Sequence, residues 1–284
     1  MRSDFTPEIL HADLARPGAP GHHALAYATA GQGTPLLFLH GSLCDLRYWK
    51  YQMPPLARCY QTFSVSLRHH WPETWNGDGD DFSLQQHVDD MAVFLHEQAE
   101  GRAAHVVGHS RGGRVAFELA RQHPTLVRSL VLADPGLSIS DEEDRRGDFR
   151  VHAMEAIRAG DVEGGLALFI DTVTGPDTWR RMVPWFKDMV IDNANTLLGQ
   201  GREASYRLKE SAARALDKPV LLIGGALSPA PYPAILDILQ NLLPNVRRLD
   251  IPGSSHGMNL GNPRAFNHAL LDFLAACEHS PACA

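Results

Sequence analysis

The pentapeptide Gly108-His109-Ser110-Arg111-Gly112 decides the fold. An apolar run, Ala103-Ala104-His105-Val106-Val107, leads into it, and a helix-like run, Arg114-Val115-Ala116-Phe117-Glu118-Leu119-Ala120, leads out. Strand, Gly-x-Ser-x-Gly, helix is the order of a nucleophile elbow, in which a serine rides a sharp, strained turn with its hydroxyl exposed. So tight a turn crowds the residues flanking the serine, and glycine alone lacks the Cβ that would clash. With each residue type at roughly 7%, such a pentapeptide arises by chance about 0.1 times in a chain of this length. The surrounding sequence therefore has to carry the argument.

Working outward, further short apolar runs recur. Leu36-Leu37-Phe38-Leu39 ends in His40-Gly41-Ser42-Leu43, and a run at 62–67 closes at Arg68-His69-His70-Trp71. Ser129-Leu130-Val131-Leu132-Ala133 ends at Asp134-Pro135-Gly136. Val220-Leu221-Leu222-Ile223-Gly224-Gly225 and a run at 246–251 follow later, the last leading into Pro252-Gly253-Ser254-Ser255-His256-Gly257. Continuous apolar runs mark strands covered on both faces. An earlier strand is expected at 24–28, after an irregular lead-in over residues 1 to about 23.

Helices are expected between these strands. One spans about 47–56, interrupted by Pro54-Pro55. Another is opened by a capping box, Ser83 with Gln86, and carries the stripe Leu84, Val88, Met91, Phe94, Leu95. Others lie at 231–243 and 263–276. Alternating strands and helices predict an α/β fold with a mostly parallel, doubly wound sheet. Between 138 and 216 the alternation stops and only helical patterning remains, as in Leu166, Phe169, Ile170 and Val173 on one face. This predicts a helical cap, 138–216, inserted into a core of 1–137 and 217–284. The run Asp141-Glu142-Glu143-Asp144 is expected to be a solvated helix start.

Composition narrows the partners. The net charge is -7 with no clustered basic run, so nucleic acid is not expected. No apolar leader follows Met1-Arg2-Ser3-Asp4-Phe5, and no apolar run reaches about 18 residues, so neither export nor membrane insertion is expected. Cys44, Cys59, Cys277 and Cys283 lack CxxC spacing. Zinc, other metals and a disulfide framework are not expected, and a cytoplasmic setting fits. No cofactor motif stands out, and a homodimer is left open.

In an open parallel sheet, ligands bind where loops leave the carboxyl ends of the strands. Ser110 lies there. So does His256, after the last strand, and Asp134, after the strand that follows the elbow helix. Their chain order is nucleophile, acid, histidine. A serine hydroxyl needs a base to take its proton, and the base needs an anion to orient it. Backbone N–H groups of Ser42, Leu43 and Arg111 are expected to form an oxyanion hole. His40, Arg68, His69, Trp185 and Met189 are expected around the substrate, Trp185 and Met189 from the cap.

Taken together, His40-Gly41 after a strand, the Gly108-to-Gly113 elbow, the helical insertion and the late Gly253-Ser254-Ser255-His256-Gly257 resemble the α/β-hydrolase superfamily over about residues 24–277. The resemblance implies Ser110 as nucleophile, His256 as base and the cap as a lid. Many members place the acid after the strand that follows the cap. Here that stretch reads Gly224-Gly225-Ala226-Leu227-Ser228-Pro229, without a carboxylate, which favours Asp134, with Asp237 and Asp250 as fallbacks. The expected activity is cofactor-free hydrolysis of a small or medium apolar ester, lactone or thioester through an acyl-enzyme. The same triad would serve a C–C bond hydrolase or a perhydrolase. A non-catalytic receptor for an apolar ligand is the alternative outside enzymes.

Overall fold

A computed structural model describes residues 8–14, 23–139 and 148–278. Its strands are β1 (Leu10–Asp13), β2 (Ala24–Ala30), β3 (Pro35–Leu39), β4 (Gln61–Val65), β5 (Ala104–His109), β6 (Val127–Ala133), β7 (Val220–Gly225) and β8 (Val246–Ile251). They form one eight-stranded sheet in the order β1-β2-β4-β3-β5-β6-β7-β8. The β1–β2 and β2–β4 pairs are antiparallel and the rest parallel.

Within each central strand, alternate residues serve opposite layers, as the two-residue period requires. Leu37, Leu39, Val106, Leu130, Leu132 and Leu222 pack in one core cluster. Leu36, Phe38, Val107, Val131, Leu221 and Ile223 pack in the other. Both layers exclude water, which is why these strands read as unbroken apolar runs. β8 is one of the two edge strands, and its Arg247, Arg248 and Asp250 discourage pairing with another chain.

The helices are α1 (Met53–Leu56), α2 (Leu84–Gln98), α3 (Arg111–Gln122), α4 (Phe149–Arg158), α5 (Val162–Thr174), α6 (Thr178–Arg181), α7 (Pro184–Asp192), α8 (Thr196–Gln200), α9 (Glu210–Arg214), α10 (Tyr232–Leu242), α11 (Met258–Gly261) and α12 (Pro263–Glu278). Helices α4 to α9 lie between β6 and β7 without an intervening strand among the described residues. Phe149, Ile157, Leu166, Phe169, Ile170, Trp179, Val190 and Leu197 bury their own cluster there, joined by Leu43 from the core.

Three local expectations change. The irregular lead-in contains β1, an edge strand zipped antiparallel onto β2. The expected helix at 47–56 is a 3-10 turn, Leu46–Trp49, followed by the one-turn α1. At α2, Ser83 Oγ accepts from Gln86 N at 3.1 Å, but the Gln86 amide turns to Asp90 instead of closing the capping box. The acidic run 141–144 lies outside the described residues.

Candidate active site

Strands β3, β5, β6 and β7 run in parallel register, with Leu39 beside Gly108, His109 beside Ala133 and Ala133 beside Ile223. Their carboxyl ends therefore fall on one rim, and the loops leaving them meet.

Ser110 sits between β5 and α3 with φ 51° and ψ -116°, a left-handed conformation that non-glycine residues seldom adopt. Its N–H donates to Ala133 O at 3.0 Å, and its carbonyl accepts from Gly113 N at 3.0 Å and Gly136 N at 2.8 Å. The elbow is thus laced to the β6 loop. A Cβ on Gly108 would lie 2.3 Å from Gly112 O, and one on Gly112 would lie 2.2 Å from Leu39 O. These two close approaches are what the flanking glycines permit.

Asp134 is fully buried, also at positive φ, 38°. His256 Nδ1 lies 3.3 Å from Asp134 Oδ2. The same oxygen accepts a hydrogen bond from Ser228 Oγ at 2.5 Å. Burial pushes the Asp134 carboxyl up to about 7, against the opposing hydrogen bond from Ser228. Tyr232 stacks on the His256 ring, with centroids 3.9 Å apart. On the other side His109 Nε2 donates to the His256 carbonyl at 2.7 Å. Burial, with His256 nearby, pushes His109 down to about 3, so its ring is neutral and carries its proton on that nitrogen.

Ser110 and His256 open onto one cavity of about 540 Å3, whose walls also include Ser42, Arg111, Phe169, Val173 and Phe186. The Ser42 and Leu43 N–H groups have no partner among the described residues. The Arg111 N–H belongs to the first turn of α3, where helical N–H groups have no intrahelical acceptor. Leu43 holds φ 61°, but its side chain is buried in the cap cluster. Ser42 Oγ donates to Gln200 of α8 at 2.9 Å.

The expected substrate contacts are corrected. His40 is fully buried: its Nδ1 donates to Gly41 O at 2.8 Å and its Nε2 accepts from Leu67 N at 3.0 Å. It braces the loop and stays off the cavity wall. Arg68 is held by Asp90, at 2.8 and 2.9 Å. His69 is clamped between Glu73 at 2.7 Å and Asp81 at 2.8 Å and stacks on Trp75. Burial lowers the His69 pKa, but the two carboxylates outweigh it and raise it above the usual value. Both residues pin the 68–82 segment and are absent from the cavity wall. Trp185 packs against Lys50 and Tyr51, and Met189 is buried against the core. The segment from α5 to α7 contributes Phe169, Ile170, Val173, Met182 and Phe186 instead. The fallback acids Asp237 and Asp250 are exposed partners of Arg248, and Asp250, though near Asp134, raises the Asp134 pKa by like charge.

His109, Ser228 and Tyr232, which pack around His256 and Asp134, escaped the sequence reading. Only His109 and Ser228 had a signal, the first inside the pentapeptide and the second at the position where a carboxylate is missing.

The family model for the alpha/beta hydrolase fold matches residues 34–263. The chain belongs to that family. It is similar to the 2-(acetamidomethylene)succinate hydrolase of Mesorhizobium japonicum, 27% identical over 90% of this chain and 93% of that one. It is also similar to the pimeloyl-[acyl-carrier protein] methyl ester esterase of Aeromonas hydrophila, 25% identical over 86% and 96%. Among solved structures, a thermophilic esterase from Thermogutta terrifontis superposes with a TM-score of 0.79, at 20% identity over 94% and 99% of the chains, a likeness of fold. Family and full-length relatives together mark this α/β-hydrolase as a hydrolytic enzyme. Among the described residues no helix is long and apolar enough to cross a membrane.

Proposed function

We propose that this α/β-hydrolase is a serine hydrolase that cleaves a carboxylic ester through an acyl-enzyme. The observation that carries this reading is the strained Ser110 sharing a cavity with His256, whose far nitrogen faces the buried Asp134. Ser110 Oγ attacks the ester carbonyl while His256 Nε2 takes its proton. The tetrahedral oxyanion is met by N–H groups of Ser42, Leu43 and Arg111. His256 then hands the proton to the departing alkoxide, which leaves as the alcohol and exposes the acyl-enzyme. Water enters, loses a proton to the same nitrogen and releases the acid, restoring the Ser110 hydroxyl. Asp134 holds Nδ1–H and stabilises the imidazolium in both halves. The ester-cleaving activity named for one full-length relative supports the same chemistry.

The test is labelling by a fluorophosphonate, together with turnover of a short methyl ester. Wild type should be labelled once and Ser110→Ala should lose both labelling and turnover. Ester turnover that survives in Ser110→Ala would overturn the assignment.

A further inference from the structure

The cavity has two characters. Phe169, Ile170, Val173 and Met182 form an apolar side, while Arg111, Arg114, Arg150 and Arg207 bring cations, with Glu203 the one carboxylate on the described wall. That carboxylate is committed. Its two oxygens accept from Arg111 Nη1 and Nη2, each at 2.6 Å. Arg114 has no carboxylate hydrogen-bond partner among the described residues. Its Nε and Nη2 donate to the Gly136 carbonyl at 2.8 and 2.6 Å, and Nη1 has no hydrogen-bond partner among the described residues. Beneath it lies the Tyr206 ring, 5.3 Å away. Burial pulls the Arg114 pKa down to about 10, with Arg111 and Arg150 adding repulsion and Glu203 opposing, so the group is cationic at neutral pH.

A guanidinium is a poor choice if its only task is to hold one carbonyl. It carries a desolvation cost and repels its neighbours, which an incoming anion would offset. Its position also fits a ligand. Arg114 lies in the first turn of α3, just after Ser110, and both residues line the cavity. Its carbonyl anchor, Gly136, is the residue whose N–H holds Ser110 O, which fixes the guanidinium relative to the elbow.

We propose that Arg114 anchors a free carboxylate of the substrate, and that the substrates are half-esters of short dicarboxylic acids. This rests on the serine-hydrolase reading above. The fork geometry of a guanidinium suits a carboxylate, and the apolar side takes the methylenes and the alcohol portion.

The test compares monomethyl glutarate with methyl valerate, which differ by the free carboxylate. Wild type should favour the glutarate ester in kcat/KM by about tenfold or more. Arg114→Gln should reduce that ratio by about 10- to 100-fold, chiefly through KM, and Arg114→Lys should fall between. An unchanged ratio in Arg114→Gln, or a wild type that favours methyl valerate, overturns the anchor. Calorimetric titration of glutarate into Ser110→Ala and Ser110→Ala/Arg114→Gln decides it without turnover. Binding to the first that is lost in the second supports the anchor, and no binding to the first overturns it. If neither ester is turned over and no fluorophosphonate label forms, the hydrolase reading fails while the titration still judges Arg114.

Discussion

Ser228 Oγ donates its hydrogen bond to the very Asp134 oxygen that faces His256 Nδ1. The hydroxyl stands in the loop after β7, where the sequence lacks an acid, and it stabilises the charged form of the carboxyl that the proposed mechanism uses to orient His256. In Ser228→Ala the carboxyl should titrate higher. In the proposed mechanism the imidazole is supported only while Asp134 is ionised, so the acid limb of kcat/KM should move to higher pH. Activity at pH 7 should fall about tenfold and partly recover at pH 9. A drop of equal size at every pH would contradict this account.

Asp134 itself links activity to stability with opposite signs. Its folded pKa, about 7, lies above the ordinary 3.8. Between those values the folded protein binds more protons than the unfolded chain, so this group's contribution to stability falls as pH rises. Asp134→Asn removes that slope. Urea unfolding should find the variant at least as stable as wild type at pH 8, with the advantage gone near pH 4. Turnover should fall by about 10³- to 10⁴-fold, because the amide no longer fixes the imidazole tautomer.

The glycines around Ser110 make a steric prediction. In Gly112→Ala the new methyl meets Leu39 O at 2.2 Å and His40 O at 2.5 Å, both backbone atoms of β3 or its end. The elbow has to lift from the strand. A loss of about 2–4 kcal/mol is expected by denaturant titration, and a neutral result would show that α3 can slide on β3.

Glu203→Gln tests the tie between cap and elbow. Arg111 and Glu203 are buried together, and the amide leaves the guanidinium uncompensated. Breaking such a pair from one side costs about 3–5 kcal/mol. Thermal unfolding should report most of that loss, and Arg111→Met/Glu203→Leu should recover part of it. A double variant as unstable as the single would argue that the charges are not the cause.

The legible parts of the molecule were those written locally. Strands β3, β5, β6 and β7 announce themselves because both faces are covered, and the residue after each then follows by counting. The missing carboxylate after Gly225 pointed back to Asp134, which does lie beside His256. What stayed hidden depends on partners distant in sequence. Helical periodicity marks Trp185 and Met189 as apolar but not which neighbour they face, and Met189 turned to the core while Phe169 and Val173 took the cavity. Arg68 and His69 leave the right strand end, yet Asp90, Asp81 and Glu73 capture them. β1 is four residues long at a sheet edge, too short to establish a period.

The helices between β6 and β7 are tied to the core beside Ser110. Gln200 holds Ser42, Glu203 holds Arg111, and Asn193 donates to Asp45 at 2.7 Å just beyond the Ser42 loop. These bonds tie the helices between β6 and β7 to the side chains of Ser42, Arg111 and Asp45. If Ser110 acts as proposed, displacing those helices would break all three ties beside it, so access to the cavity and the order of its walls would change together.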